Sequence, residues 1–354
     1  MEPCRCESDA VAPGRAGARD RGTAPILSAV ILTLCLIAYG SQPAKADQGD
    51  LSFWLPGAFG SLAAVPGVPG WAFTTIYLHL EESATGGKNF VQGASIVAGL
   101  KARSDVVAYG PTYVFATPVL GGQASISLFN AAGHVDAGIS ATLSGPMGAT
   151  ISGTKTDERT TFADVFWQGA LKWNQGVHNT MIYATGNIQS GTYDPTRLAN
   201  LGFGWVAVDG GAGYTYFDQK TGHEFSAVAG LTYNFINPDI QYQNGIDFHL
   251  DWGASQFLSK NFQVGLAGYF FQQLTGDSGL GAKLGPFKTR VTGIGPQVGF
   301  IFPVAQGYQG YLNLKGYKDL AVENRPEGWT AWVTLAISPA PPSEAPLMTP
   351  MIRK

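Results

Sequence analysis

Ile246-Asp247-Phe248-His249-Leu250-Asp251-Trp252-Gly253-Ala254-Ser255-Gln256-Phe257 changes character at nearly every step. Side chains of an extended strand point alternately to its two faces. Ile246, Phe248, Leu250, Trp252 and Ala254 therefore share one face, and Asp247, His249, Asp251 and Ser255 the other. A helix would scatter these residues around its circumference, so the stretch reads as a strand with one apolar and one polar side.

The same split recurs on either side of it. Val135, Ala137, Ile139, Ala141 and Leu143 alternate with His134, Asp136, Ser140 and Thr142, and Val165, Trp167, Leu171 and Trp173 with Asp164, Gln168 and Lys172. Phe262, Val264, Leu266 and Phe270 alternate with Gln263, Gly265 and Ala267, and Trp329, Val333, Leu335 and Ile337 with Thr330 and Thr334. Candidate strands fall near 71–80, 89–101, 106–116, 121–130, 134–143, 162–173, 178–189, 204–217, 223–234, 245–257, 261–272, 287–302, 309–318 and 328–338. Most are about ten residues long, the length of a tilted membrane strand. Turn signals separate them, among them Gly121-Gly122, Thr221-Gly222 and Asn244-Gly245.

Composition agrees. The chain has 354 residues, 47 of them glycine, with 12% aromatic and only 13% charged side chains. Acidic residues outnumber basic ones, 25 to 22, so no basic field points to nucleic acid. Aromatics gather toward strand ends (Trp71, Phe73, Trp167, Trp173, Tyr214, Tyr216, Trp252, Phe257, Phe270, Trp329, Trp332), where interfacial girdles sit. The expectation is all-β: an antiparallel transmembrane β-barrel of 12 to 14 strands over residues 71–338, an even number being usual.

The flanks have their own signatures. Arg15, Arg19 and Arg21 precede an apolar run from Ile26 to Tyr39, and Ala44-Lys45-Ala46 has the small-x-small form of a cleavage site. The run, about 14 residues, is short of the roughly 20 a membrane helix needs, so 1–46 is read as a signal peptide and the mature chain as starting at Asp47. Cys4, Cys6 and Cys35 all lie upstream of that point, which removes disulfides, thiol catalysis and cysteine-ligated zinc from the mature chain. Residues 47–70, with Phe53-Trp54-Leu55-Pro56-Gly57 and Val65-Pro66-Gly67-Val68-Pro69, are too proline-rich for a regular strand and are expected to form a plug or latch at the barrel mouth, with a disordered leader as the alternative. A Pro-rich tail occupies 339–354.

From about Leu51 to Ser338 the chain resembles the outer-membrane family described as "putative MetA-pathway of phenol degradation", the SphA-like proteins. The resemblance is carried by Leu55-Pro56-Gly57, Asn234-Phe235-Ile236-Asn237-Pro238, Tyr242-Gln243-Asn244-Gly245 and Gly268-Tyr269-Phe270-Phe271-Gln272-Gln273-Leu274-Thr275-Gly276-Asp277-Ser278-Gly279. It continues through Gly293-Ile294-Gly295-Pro296-Gln297-Val298-Gly299, Leu314-Lys315-Gly316-Tyr317 and Asn324-Arg325-Pro326-Glu327-Gly328-Trp329. It implies an outer-membrane transporter for aromatic or other hydrophobic compounds, distantly similar to fatty-acid and toluene uptake barrels. Two departures stand out: Leu335-Ala336-Ile337-Ser338 lacks a closing terminal aromatic, and Ala184-Thr185-Gly186 stands where relatives have Pro-Thr-Gly.

Site chemistry is sparse. Asp247, His249 and Asp251 recur at about 7 Å along one strand face, which could hold a metal but equally fits polar groups in a wet lumen. No Gly-x-Ser-x-Gly elbow is present, and Gly210-Gly211-Ala212-Gly213 lacks the Lys-Ser/Thr ending of a phosphate loop. No cofactor, metal or catalytic residue is expected, and the chain is read as not an enzyme. The candidate lumen-lining residues are His134, Asp136, Asp164, Lys172, Asp247, His249, Asp251, Lys288, Arg290 and Lys315. The expected function is passive uptake of small hydrophobic, phenol-type molecules, with outer-membrane lipid and the barrel assembly machinery as partners. A structural or adhesive outer-membrane protein and a secreted soluble β protein are the alternatives.

Overall fold

In the computed structural model, described for residues 52–89, 95–144, 150–282, 286 and 288–342, one antiparallel sheet closes on itself. Its strands are β1 (Gly70–Asn89), β2 (Ser95–Val114), β3 (Gln123–Ser144), β4 (Thr150–Phe162), β5 (Val165–Gln175), β6 (His178–Ile188), β7 (Ala207–Asp218), β8 (His223–Asn234), β9 (Asp247–Ser259), β10 (Phe262–Gln273), β11 (Arg290–Ala305), β12 (Tyr308–Glu323) and β13 (Glu327–Pro339). Neighbours in sequence pair throughout, except that β3 pairs with β5 through its first half and with β4 through its second. The first strand meets the last, from Phe73 opposite Ile337 to Ser83 opposite Glu327. Twelve strands thus form the ring, and β4 stands outside it on the far half of β3. Closure leaves no edge within the ring, as lipid requires of backbone polar groups.

Strand lengths differ by region. β5 to β10 have 11 to 13 residues, the membrane length, whereas β1, β2 and β3 have 20 to 22. Two pairs of expected segments merge as a result. Segments 89–101 and 106–116 are halves of the single strand β2, and 121–130 and 134–143 are halves of β3. β4 (Thr-Ile-Ser-Gly-Thr-Lys-Thr-Asp-Glu-Arg-Thr-Thr-Phe) was not expected, because it is polar on both faces and shows no alternation. The long strands carry the β1–β4 sheet beyond the membrane band.

One end of the ring has tight turns at Gly176, Gly222 and Gly307, each at positive φ. A Cβ at Gly222 would lie 2.4 Å from the Phe257 carbonyl oxygen, so glycine alone fits that hairpin. The other end has the long connection 189–206 between β6 and β7, with Trp205 and Phe203 buried in it. Short turns mark the periplasmic side and long connections the extracellular side of such barrels.

The outer surface between the ends is apolar: Ile126, Leu128, Ile182, Leu231, Leu266, Phe300, Leu314 and Val333 are all exposed. Trp71 and Phe73 flank this band toward the turn end, and Tyr233 and Trp329 toward the loop end. The interior is polar, with His249, Gln263 and Thr232 wholly buried. No helix among the described residues is long and apolar enough to cross a membrane, and the chain crosses with strands instead. The expected signal peptide and its cysteines, and the tail from 343, lie outside the described residues.

Candidate functional site

The interior is not an open pore. From Ser52 to Pro69 the chain runs through it without strand or helix, from the loop end to the turn end. Phe53 packs on Phe166 and Phe203 near the loop end, with ring centroids 5.9 and 6.2 Å away. Gly67 reaches Val114 at the turn end, where β1 begins.

An irregular segment buried in this way must satisfy its backbone polar groups, and the barrel wall supplies the partners. Asp251 accepts hydrogen bonds from the backbone N–H of Gly57 (2.8 Å) and Phe59 (3.1 Å). Glu224 accepts one from Leu62 N–H (2.9 Å), and Thr215 Oγ1 one from Ala64 N–H (3.0 Å). Two ammonium groups serve the carbonyls. Lys315 Nζ donates to Gly57 O (2.7 Å), with Ala58 O and Phe59 O at 3.4 and 3.5 Å. Lys172 Nζ donates to Ala63 O (2.7 Å) and Val65 O (3.3 Å). Ser61 Oγ meets Ser255 Oγ at 2.8 Å and accepts from Gln297 Nε2 at 2.8 Å.

Trp54 fixes the start of the segment. Its indole stacks on the His249 imidazole, centroids 3.7 Å apart and planes 10° from parallel. His249 is held from behind, its Nε2 lying 3.0 Å from Asp209 Oδ2 and 3.2 Å from the Tyr183 hydroxyl. Tyr183 itself donates to Asp209 Oδ1 at 2.8 Å, and Thr232 to Asp209 Oδ2 at 2.5 Å. Gly230 makes room for the cluster: a Cβ there would sit 2.2 Å from the Tyr183 hydroxyl. Around Trp54 the lumen carries ring faces, with Phe59, Tyr183, Tyr269, Phe271, Tyr317 and Trp332 packed in one cluster.

Of the ten candidate lumen residues, the structure brings Lys172, His249, Asp251 and Lys315 to this segment, and Asp247 to the same wall, where Asn234 Nδ2 donates to it at 2.9 Å. Asp164 is buried, but in the rim between β4 and β5, accepting from Asn187 Nδ2 (2.7 Å) and Gly191 N–H (2.8 Å). Four belong elsewhere. His134 and Asp136 are exposed on the outer side of β3, while Val135 and Ala137 point inward. That half of β3 stands beyond the membrane, where water lies outside and an apolar cluster of Ala131, Val135, Ala163, Ala199 and Leu201 lies within. Lys288 is exposed in the β10–β11 connection, and Arg290 points outward to pair with Glu323 at 3.0 Å.

Asp209, Glu224 and Thr215, which hold the segment or its support, carried little sequence signal. Asp209 precedes Gly210-Gly211, and β7 alternates weakly. Among the described residues no group of three or more His, Cys, Asp or Glu could hold a metal ion.

A closed twelve-stranded barrel with a lipid-facing apolar band and a filled, hydrogen-bonded interior defines an outer-membrane protein of the channel class. The model of the family "Putative MetA-pathway of phenol degradation" matches residues 85–335, and the chain belongs to that family. Among solved structures it is similar to the COG4313 outer membrane channel from Pseudomonas putida F1, with TM-score 0.59, 14% identity, and coverage of 77% of this chain and 96% of that one. The CymD monoaromatic hydrocarbon channel matches with TM-score 0.37 and 7% identity over 77% of this chain and 89% of its own. A Pseudomonas aeruginosa FadL homologue matches with TM-score 0.36 and 7% identity over 76% and 89%. No protein of the curated set matches the chain in sequence.

Proposed function

We propose that the protein is a passive uptake channel for small hydrophobic, phenol-type aromatic molecules, and that residues 47–70 are its plug. The observation that carries this reading is the strip of ring faces from Trp54 to Trp332 inside an otherwise polar barrel. Aromatic side chains offer offset and edge-on contacts to aromatic guests, while polar wall groups keep the interior wetted and the plug docked. Membership of a phenol-degradation family points to the same guests. The plug is held mainly by side chain to backbone bonds, so it can leave without unravelling the sheet. Outer-membrane lipid surrounds the barrel, and the assembly machinery inserts it.

The test is single-channel conductance and phenol uptake in proteoliposomes, comparing the intact chain with one lacking residues 47–69. Deletion should raise conductance several-fold and leave heat-modifiable gel migration intact. Unchanged conductance would remove the plug, and no phenol flux through either protein would remove the channel.

A further inference from the structure

Three cross-strand rows carry the outer face of β13, β1 and β2 out of the lipid band toward the loop end. Tyr77 lies between Val333 and Val107, His79 between Ala331 and Asp105, and Glu81 between Trp329 and Arg103. Side chains of one face recur every two residues, about 7 Å apart, so this face turns from apolar to charged within about 14 Å. Tyr77, Val107 and Val333 are exposed and belong to the lipid-facing band, and Trp329, also exposed, stands at its upper border. Above that border the face continues across β3 and β4 as a groove of about 910 Å³. Ligand sites generally have roughly 300–1,000 Å³.

Charge on the groove floor is arranged in two rows. In the lower one Arg103 lies between Glu81 and Asp136, with a carboxylate on either side. In the upper one Lys101 lies between Ser83 and Gly138, with no carboxylate beside it. Glu81, Lys101, Arg103 and Asp136 are all exposed. Arg103 Nε is 3.3 Å from Asp105 Oδ2, and Asp105 is itself fixed by the Tyr77 hydroxyl at 2.6 Å and His79 Nδ1 at 2.7 Å. Lys101 has no hydrogen-bond or ion-pair partner among the described residues. Cross-strand charge pairing therefore accounts for Arg103 but not for Lys101. Thr154 and Thr156 of β4 add hydroxyls on the far side of the groove. Gly138 keeps the floor open, since a Cβ there would meet nothing nearer than Thr156 Cγ2 at 3.5 Å.

A ligand in this groove stands on lipid, because groove and lipid band are one continuous face. The outer leaflet of a Gram-negative outer membrane is glycolipid, with phosphorylated sugars directly above the acyl chains. Sugar hydroxyls both donate and accept, and phosphates accept from cations. Carboxylates, hydroxyls and two outward cations interleaved in one groove match that set. We propose that the groove is a headgroup site for one outer-leaflet glycolipid. The acyl chains lie on Tyr77, Val107 and Val333, Lys101 and Arg103 bind a sugar phosphate, and Glu81, Asp136, Thr154 and Thr156 face the sugar hydroxyls. The headgroup thereby ties the extension to the leaflet from which it rises. The site rests on the placement of the barrel in the outer membrane and not on uptake, so it stands or falls separately from the channel.

The probes are lipopolysaccharide with its core sugars, phosphatidylglycerol, and the oligosaccharide released from the same lipopolysaccharide. Native mass spectrometry of the full-length protein in detergent, titrated with each, should show one lipopolysaccharide held more tightly than phosphatidylglycerol. The free oligosaccharide should bind weakest, since it lacks the acyl contacts. Lys101→Gln/Arg103→Gln should weaken lipopolysaccharide about thirtyfold, the loss expected for two cations at a lipid surface. Gly138→Trp, which fills the floor, should weaken it on the order of tenfold and leave phosphatidylglycerol unchanged. Unchanged lipopolysaccharide affinity in either folded variant, or an equal loss of both lipids, overturns the headgroup site. Oligosaccharide bound as tightly as the whole glycolipid overturns the membrane as its source. Heat-modifiable migration reports folding. Lys101 and Arg103 are exposed, so the charge variant decides alone should Gly138→Trp fail to assemble.

Discussion

β9 and the outer half of β3 share one pattern, histidine and aspartate alternating with apolar residues, and orient it oppositely. In β9 the polar face turns inward: Asp247, His249 and Asp251 are 4%, 0% and 1% exposed. In β3 it turns outward, with His134 and Asp136 exposed and Val135 and Ala137 buried. Alternation divides a strand into two faces, and the surroundings decide which is which. Lipid outside β9 takes the apolar face, and the backbone of residues 57–59 inside consumes the polar one. Water outside β3 takes the polar face, and the β6–β7 connection covers the apolar one with Ala199 and Leu201. The barrel is therefore two materials in one sheet: a membrane ring, and a water-soluble extension built by β1 to β4.

The largest expected effect breaks this contrast with one substitution made in each region. Leu266 is outward at mid-strand in β10, and Leu266→Arg should cost about 2–4 kcal/mol, the penalty of a cation in the apolar band. Ser140→Arg, also outward but on the extension, should stay within about 0.5 kcal/mol. Urea midpoints read from the heat-modifiable band would measure both, and similar losses would mean that β3 is embedded in lipid over its whole length.

A smaller effect separates the plug from the ring. Gly57 has φ +86°, and a Cβ there would meet the Tyr317 ring at 2.7 Å. Gly57→Ala should therefore weaken docking of residues 52–69 by about 1–3 kcal/mol, the usual cost of such a backbone for a non-glycine residue. Conductance should rise while the urea midpoint stays near that of the native chain. A lowered midpoint at unchanged conductance would show that the segment is structural filler rather than a movable part.

These regions were unequally legible in the sequence. The membrane strands announce themselves because one face must be apolar and each has the length of one crossing, as in 223–234 and 261–272. β4 could not be read, since a strand with water on both sides needs no alternation. The sides of His134 and Asp136 were equally hidden, because the loop that covers β3 lies some sixty residues further along the chain. For the lumen, Asp251 and Lys315 could be picked as inward polar groups. Their task, holding the carbonyls and amides of a proline-rich leader about 190 and 260 residues away, depends on closure of the ring and has no local signature.

The smallest expected effect tests how the extension is fastened. Asp157 of β4 accepts hydrogen bonds from the Arg197 guanidinium, through Nη2 and through Nε at 3.1 Å, and from the backbone N–H of Leu198 and Ala199 at 3.0 and 3.1 Å. The guanidinium first, then the two amides, hold its carboxyl down to about 2, against about 3.9 in an unfolded chain. A carboxylate with a lowered folded value contributes its stabilisation in full above about pH 4 and loses it as pH falls toward 2. The pair is near the surface, so the contribution is about 1 kcal/mol or less. Amide exchange over residues 194–200 should therefore be faster in Asp157→Asn than in the native protein at pH 6, with the difference shrinking between pH 4 and pH 2. Comparing the two proteins at each pH cancels the intrinsic pH dependence of exchange. A difference that stays constant down to pH 2 would mean that the connection is held by packing of Ala199 and Leu201 alone, leaving the apolar underside of β3 as the fastening of the extension.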